Sequence, residues 1–101
     1  MYKDIDKDQL DNMIKNGEDF LLIDVRSKED YEENHIDNAI NIPMNKLLVE
    51  LYDIEDYKEK DVVIYCTSGH ISITACNLLL LEGFTSIYNL KNGIKKYNKV
   101  S

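Results

Sequence analysis

Arginine is nearly missing from this sequence: of its 12 basic residues Arg26 alone is an arginine, and 19 acidic residues leave a net charge of −7. A surface that acidic argues against nucleic acid or anionic lipid as a partner, since both demand basic surface. Long apolar runs are missing too. A run such as Leu78 to Leu81 is far short of the ~20 residues that span a bilayer. Met1-Tyr2-Lys3-Asp4 lacks the charged-then-apolar layout of a secretory leader, so the expected compartment is the cytoplasm. The two cysteines, Cys66 and Cys76, stand ten positions apart with no C-x-x-C and no H-x-x-x-H nearby. That excludes a disulfide framework and a zinc site, and in a reducing compartment both are expected as free thiols. No repeat, low-complexity stretch or linker interrupts the 101 residues, which reads as one domain over 1–101.

What is present alternates between two periodicities. Asp6 to Asn16 reads as a helix, with Asp6 and Gln9 in capping-box register and Leu10, Met13 and Ile14 on one face. Gly17 closes it. Phe20 to Val25 is a short continuous apolar run, the mark of a strand buried on both faces. Ser27 to Asn34 fits a surface helix capped by Ser27, and Ala39 to Ile42 a second strand stopped by the lone proline, Pro43. Asn45 to Tyr52, with Leu47, Leu48 and Leu51, reads as a further helix. Asp61 to Tyr65 is the clearest strand, β-branched and aromatic. After it come a polar loop, an apolar helix through Leu81 ended by Gly83, a strand from Ser86 to Leu90, and a last helix from Gly93 to Tyr97. Strands and helices in this alternation predict an α/β domain with a largely parallel sheet, whose site lies at the carboxyl ends of the strands. Asp24 to Arg26 and the loop beginning at Cys66 occupy such ends.

That loop reads Cys66-Thr67-Ser68-Gly69-His70-Ile71-Ser72. A cysteine leaving a buried strand, with glycine in mid-loop and a helix starting six residues on, can be ringed by backbone N–H groups and by the positive end of that helix. Both favour an anion and lower a thiol pKa from about 8.5 into the range of roughly 3.5–7.5. Cys66 is therefore the expected nucleophile, with Ser72 adding a hydroxyl to the sulfur or capping the helix. Cys76, between Ala75 and the leucines, is expected in the core.

Leu22-Ile23-Asp24-Val25-Arg26, Asp30-Tyr31 and His35-Ile36-Asp37-Asn38-Ala39-Ile40-Asn41-Ile42-Pro43 resemble the N-terminal signature of the rhodanese (sulfurtransferase) family. Tyr65-Cys66, Gly69, Ser72, Gly83-Phe84, Ile87 to Leu90 and Asn92-Gly93 continue the resemblance in order and spacing. The match, from about Leu21 to Tyr97, points to a single-domain rhodanese-like protein. It implies a central, mostly parallel five-stranded sheet flanked by helices on both faces. It further implies that Cys66 takes a sulfane sulfur as a persulfide and passes it to a thiophilic acceptor, a thiol or cyanide. Thiosulfate, polysulfide, glutathione persulfide or a protein persulfide would be the donor, and no metal or organic cofactor is implied.

The loop departs from the family's C-R-x-G-x-R-S at the two arginines, replaced by Thr67 and Ile71. Neither offers arginine's planar fork of donors, so poor use of thiosulfate is expected, and phosphatase chemistry on such a loop is disfavoured. His70 has two open readings: a cation that stabilises the Cys66 thiolate or meets an anionic donor, or a solvent-facing loop histidine. The resemblance implies that Arg26 supports the site by pairing with a carboxylate, with Asp24, Asp30 and Glu29 as candidate partners and Asp24 expected beside it in support; His35 is expected to bond a nearby turn. Tyr31, Tyr65, Tyr88 and Tyr97 are expected in the core or at its rim. Against the enzyme stands the alternative of a non-catalytic module of the same fold, serving protein interaction or sensing. Redox sensing through oxidation of Cys66 ranks behind both, for want of a resolving cysteine.

Overall fold

In the computed structural model, which describes residues 1–97, five strands form one sheet in the order β1-β5-β4-β2-β3. They are β1 (Lys3–Ile5), β2 (Phe20–Asp24), β3 (Ile40–Asn41), β4 (Asp61–Tyr65) and β5 (Ser86–Leu90). Every pairing between them is parallel. Because side chains alternate along a strand, β4 sends Val62 and Ile64 into one core and Val63 and Tyr65 into another, on opposite faces. Helix α3 (Ile71–Leu81) covers the first face through Ala75, Cys76 and Leu79. Helices α1 (Lys7–Lys15), through Leu10, and α4 (Gly93–Tyr97), through Ile94, cover the second, and α2 (Lys28–Glu33) lends it Tyr31. The sheet is thus buried on both sides, as a parallel sheet requires.

Local chemistry sets the helix ends. The Asp6 carboxylate accepts from Gln9 N while the Gln9 amide oxygen accepts from Asp6 N, both at 2.8 Å, which completes the capping box of α1. Its C-terminus closes as a Schellman motif: Gly17, at φ 64°, donates to the Ile14 carbonyl and Glu18 donates to that of Met13. Gly83 and Phe84 close α3 in the same way, with Phe84 packed in the same core as Leu79. Ser27 caps α2 by accepting from Asp30 N at 3.1 Å.

Two expectations need correction. Asn45 to Tyr52 is not one α-helix; the region holds two 3₁₀ helices, Met44–Lys46 and Leu51–Tyr57, joined by a hydrogen-bonded turn in which Glu50 N donates to the Lys46 carbonyl. Leu47 and Ile54 are buried while Leu48, Val49 and Tyr52 face solvent. Apolar spacing marks the side that meets the sheet but not the pitch of the turn, and a 3₁₀ turn advances ~2.0 Å per residue against ~1.5 Å in an α-helix. The residue-level reading also found four strands and passed over β1. Only Ile5 of its three residues is buried, so no alternation announces it; it is a strand because β5 pairs with it.

Candidate functional site

Three parallel strands, β2, β4 and β5, direct their carboxyl ends toward the loop that begins at Cys66. Cys66 itself is 3% exposed. It lies at the base of a cleft of about 410 Å³ walled by Val25, Arg26, Pro43, Met44, Thr67 and Ile71, with Ser68 and Asp30 also on its lining. Gly69 N donates to the Cys66 sulfur at 3.2 Å and Ser72 N at 3.3 Å. The Cys66 S–H in turn donates to Ser72 Oγ at 3.3 Å. His70 occupies the N-cap position of α3 without a side-chain cap. The sulfur therefore takes an N–H of the first helical turn that would otherwise lack a partner. Burial pushes the Cys66 thiol up, but the Ser72 hydroxyl, where it turns to donate to the thiolate, and the backbone N–H groups of Ser72, Gly69 and Ser68 outweigh it, leaving the thiol below its ordinary value. Cys76 has no such donors. It is buried in α3, and desolvation first, then the charges of Asp4 and Cys66, push it up to about 12.

The loop's shape is held from behind. Gly69 takes φ 88°, and a side chain there would press on Asn92 N at 2.8 Å. Gly93 lies so close under the loop that a Cβ would strike the carbonyl oxygens of Cys66 and Thr67. Those same oxygens accept from Ile94 N and Lys95 N of α4, each at 3.0 Å. Asn92 adopts φ 68°, a conformation asparagine tolerates better than most residues.

Of the other expected site residues, Thr67, Ser68 and Ile71 line the cleft, and Ile71 is 61% exposed at its rim. His70 is exposed, with its Nδ1 3.1 Å from Ser68 Oγ rather than at the sulfur. Arg26 also borders the cleft, yet its guanidinium is committed elsewhere. Nη2 donates to Asp24 Oδ2 at 2.7 Å and to the Asn34 carbonyl at 2.6 Å, and Nε faces both Asp24 oxygens. Asp24 is fully buried, so this is an internal ion pair that spends its charge on the scaffold. Burial alone would lower the Arg26 pKa; the bond and charge of Asp24 raise it instead. His35 stacks on Tyr31 with ring centroids 3.9 Å apart, its Nδ1 2.8 Å from the Tyr31 carbonyl.

Asn89 escaped the reading by residue type and spacing. It is 2% exposed, and its Oδ1 accepts the Ser72 hydroxyl at 2.5 Å. Its Nδ2 donates to Asp4 Oδ1 at 3.0 Å and to the Gly69 carbonyl at 3.3 Å. A signal for it existed: an asparagine inside an otherwise apolar or aromatic strand is unfavourable unless its amide has fixed partners.

The structure thus sets one hydrogen-bonded cysteine at the carboxyl edge of a parallel α/β sheet, at the foot of an open cleft. The rhodanese-like domain family matches residues 6–100, and the chain belongs to it. A sulfurtransferase of Allochromatium vinosum is 35% identical over 94 residues, which are 93% of this chain and 86% of that protein. Reduced CoADR-RHD of Bacillus anthracis superposes with a TM-score of 0.83 at 28% identity over 95% of this chain, which spans only 16% of that one. A human single-domain sulfurtransferase shares the fold across 100% of both chains, with a TM-score of 0.83 at 22% identity. Among the described residues no helix is long and apolar enough to cross a membrane.

Proposed function

We propose that this chain is a sulfurtransferase that carries sulfur as a persulfide on Cys66. The observation that supports this reading is the pair of backbone donors at the sulfur, Gly69 N and Ser72 N, at the foot of an open cleft. In the first half-reaction the Cys66 thiolate attacks the outer sulfur of a persulfide R–S–SH. The Cys66 S–S bond forms, the RS–SH sulfur–sulfur bond of the donor breaks, and the electron pair leaves on RS⁻, which takes up a proton as the thiol. In the second, an acceptor thiolate attacks the outer sulfur and Cys66 departs as a thiolate, again facing the loop N–H groups. Those N–H groups are in place before either step, so stabilising the sulfur anion demands no rearrangement of solvent.

The cleft walls favour some donors over others. Val25, Pro43, Met44 and Ile71 are apolar, and Arg26 is tied to Asp24. A dianion such as thiosulfate would find no free arginine in the loop, whereas a polysulfide or a small-thiol persulfide brings an apolar sulfur chain and less charge. The test is intact mass spectrometry of the reduced protein after separate incubation with thiosulfate, polysulfide and glutathione persulfide, with Cys66→Ser as control. The expected result is a gain of one sulfur atom that requires Cys66, forms fastest from a persulfide or polysulfide, and is discharged by cyanide as thiocyanate. A folded, reduced protein that no donor loads would overturn the reading and leave a binding module.

A further inference from the structure

Behind Cys66 lies a buried polar chain that the sulfur-transfer scheme does not use: Ser72 Oγ, the Asn89 amide and, at the sheet edge, Asp4 on β1. Its directions are determined by counting donors. The Asn89 NH₂ faces two groups that can only accept, the Asp4 carboxylate and the Gly69 carbonyl. Its oxygen must then face Ser72, which fixes the orientation of the amide. Ser72 owns one hydroxyl proton and gives it to that oxygen at 2.5 Å. What Ser72 presents to Cys66 is therefore a lone pair, which accepts S–H and offers nothing to a thiolate.

We propose that Asn89 is a positioning residue for Cys66: by taking the Ser72 proton it turns the Ser72 oxygen toward the sulfur as an acceptor and holds the thiol against ionisation. This rests on Cys66 being the reactive group, but its test involves no sulfur transfer. When the thiolate forms, Ser72 can donate to it only by leaving the buried Asn89 oxygen without a donor, and burial makes that costly. Two backbone donors, Gly69 N and Ser72 N, serve the anion in either state, while the third is withheld until Asn89 releases it. Asp4 belongs to the device because its carboxylate anchors the amide. Strand β1, which pairs Asp4 beside Asn89, thereby reaches the sulfur through two side chains.

Other charged or titratable groups surround the sulfur and bear on its titration. Arg26, paired with Asp24, and Asp30 border the cleft from the β2 and α2 side; His70 lies in the loop; Cys76 sits in α3; Lys95 of α4 packs its backbone under Thr67. None of these is changed by the variants below, and the charge of Asp4 has its own control.

The experiment is the pH dependence of iodoacetamide alkylation at Cys66, followed by peptide mass spectrometry, with folding checked by circular dichroism. Asn89→Leu removes the competing acceptor and is expected to lower the midpoint by about one pH unit. A lower midpoint means more thiolate, and so faster alkylation at neutral pH. In a Ser72→Ala background the same substitution is expected to leave the midpoint where it is, because the hydroxyl through which Asn89 acts is gone. Asp4→Leu, which frees the amide to turn, is expected to lower the midpoint further than Asp4→Asn, which drops the charge and keeps an acceptor. A midpoint that stays or rises in Asn89→Leu, or that falls equally with and without the Ser72 hydroxyl, overturns the proposal. Should Asn89→Leu fail to fold, equal midpoints for Asp4→Leu and Asp4→Asn overturn it. A protein that accepts no sulfur would leave all of these midpoints measurable, so the two failures are distinct.

Discussion

Ile71 projects from the first turn of α3 at the rim of the cleft, largely in solvent, and only a few residues along the loop from Cys66. An apolar side chain there gains little by exposure and offers no charge to an oxyanion. Arginine at this position would extend from the rim into the same cleft without displacing any core residue. A charge-assisted hydrogen bond contributes about 1.5–3 kcal/mol, so Ile71→Arg is expected to raise the rate of Cys66 loading by thiosulfate roughly tenfold or more at low thiosulfate. Loading from a polysulfide should change far less. The check is the rate of the one-sulfur mass gain from each donor. An unchanged thiosulfate rate, alongside intact polysulfide loading, would mean that positive charge at the rim is not what thiosulfate lacks.

At the scale of elements, the loop depends on α4, a helix of five residues whose first residue is Gly93. Gly17 and Gly93 have nearly the same φ, 64° and 63°, but different surroundings. A Cβ on Gly17 would meet nothing within 4 Å, whereas one on Gly93 would overlap the Cys66 and Thr67 carbonyl oxygens. Gly17→Ala is expected to cost about 1 kcal/mol, the strain of a left-handed backbone alone. Gly93→Ala adds overpacking and should cost about 2–4 kcal/mol. It should also slow alkylation of Cys66, since the carbonyls that α4 holds are those of the loop. Urea denaturation of the two variants measures the difference; equal losses would show that α4 yields without disturbing the loop.

Over the whole molecule, charge is divided along the chain. Residues 62–101 contain four lysines and a single acid, Glu82, in a protein whose net charge is −7. Two of those lysines, Lys95 and Lys96, line a hollow of about 250 Å³ with Asn92 and Ser68, and Ser68 also lines the Cys66 cleft. The acidic bulk and the less acidic loop end make approach to Cys66 depend on the sign of the reagent. Reversing both lysines, as Lys95→Glu with Lys96→Glu, is expected to reduce the rate of alkylation by iodoacetate roughly threefold relative to neutral iodoacetamide at low salt. The difference should collapse near 1 M salt, where the Debye length is about 3 Å. A ratio that ignores both the substitutions and the salt would remove these lysines from the electrostatics of the site.

What the sequence determined by itself was local. The capping box at Asp6 and Gln9, the glycine that closes α1 and the apolar runs of β2 and β4 are written in neighbouring residues, because caps and strand periodicity involve neighbours. The loop from Cys66 to Ser72 could likewise be seen to surround a sulfur with N–H groups, since all its parts lie within seven positions. Tertiary structure alone decided the rest. Strand β1 exists through its pairing with β5, 85 positions away at Asp4 and Asn89. The charge of Arg26 turns inward because Asp24 is fully buried beside it. Asn89 matters because two strand ends and a helix start converge on one amide. A buried polar group must find its partners wherever the fold brings them, and those partners are not ordered along the chain.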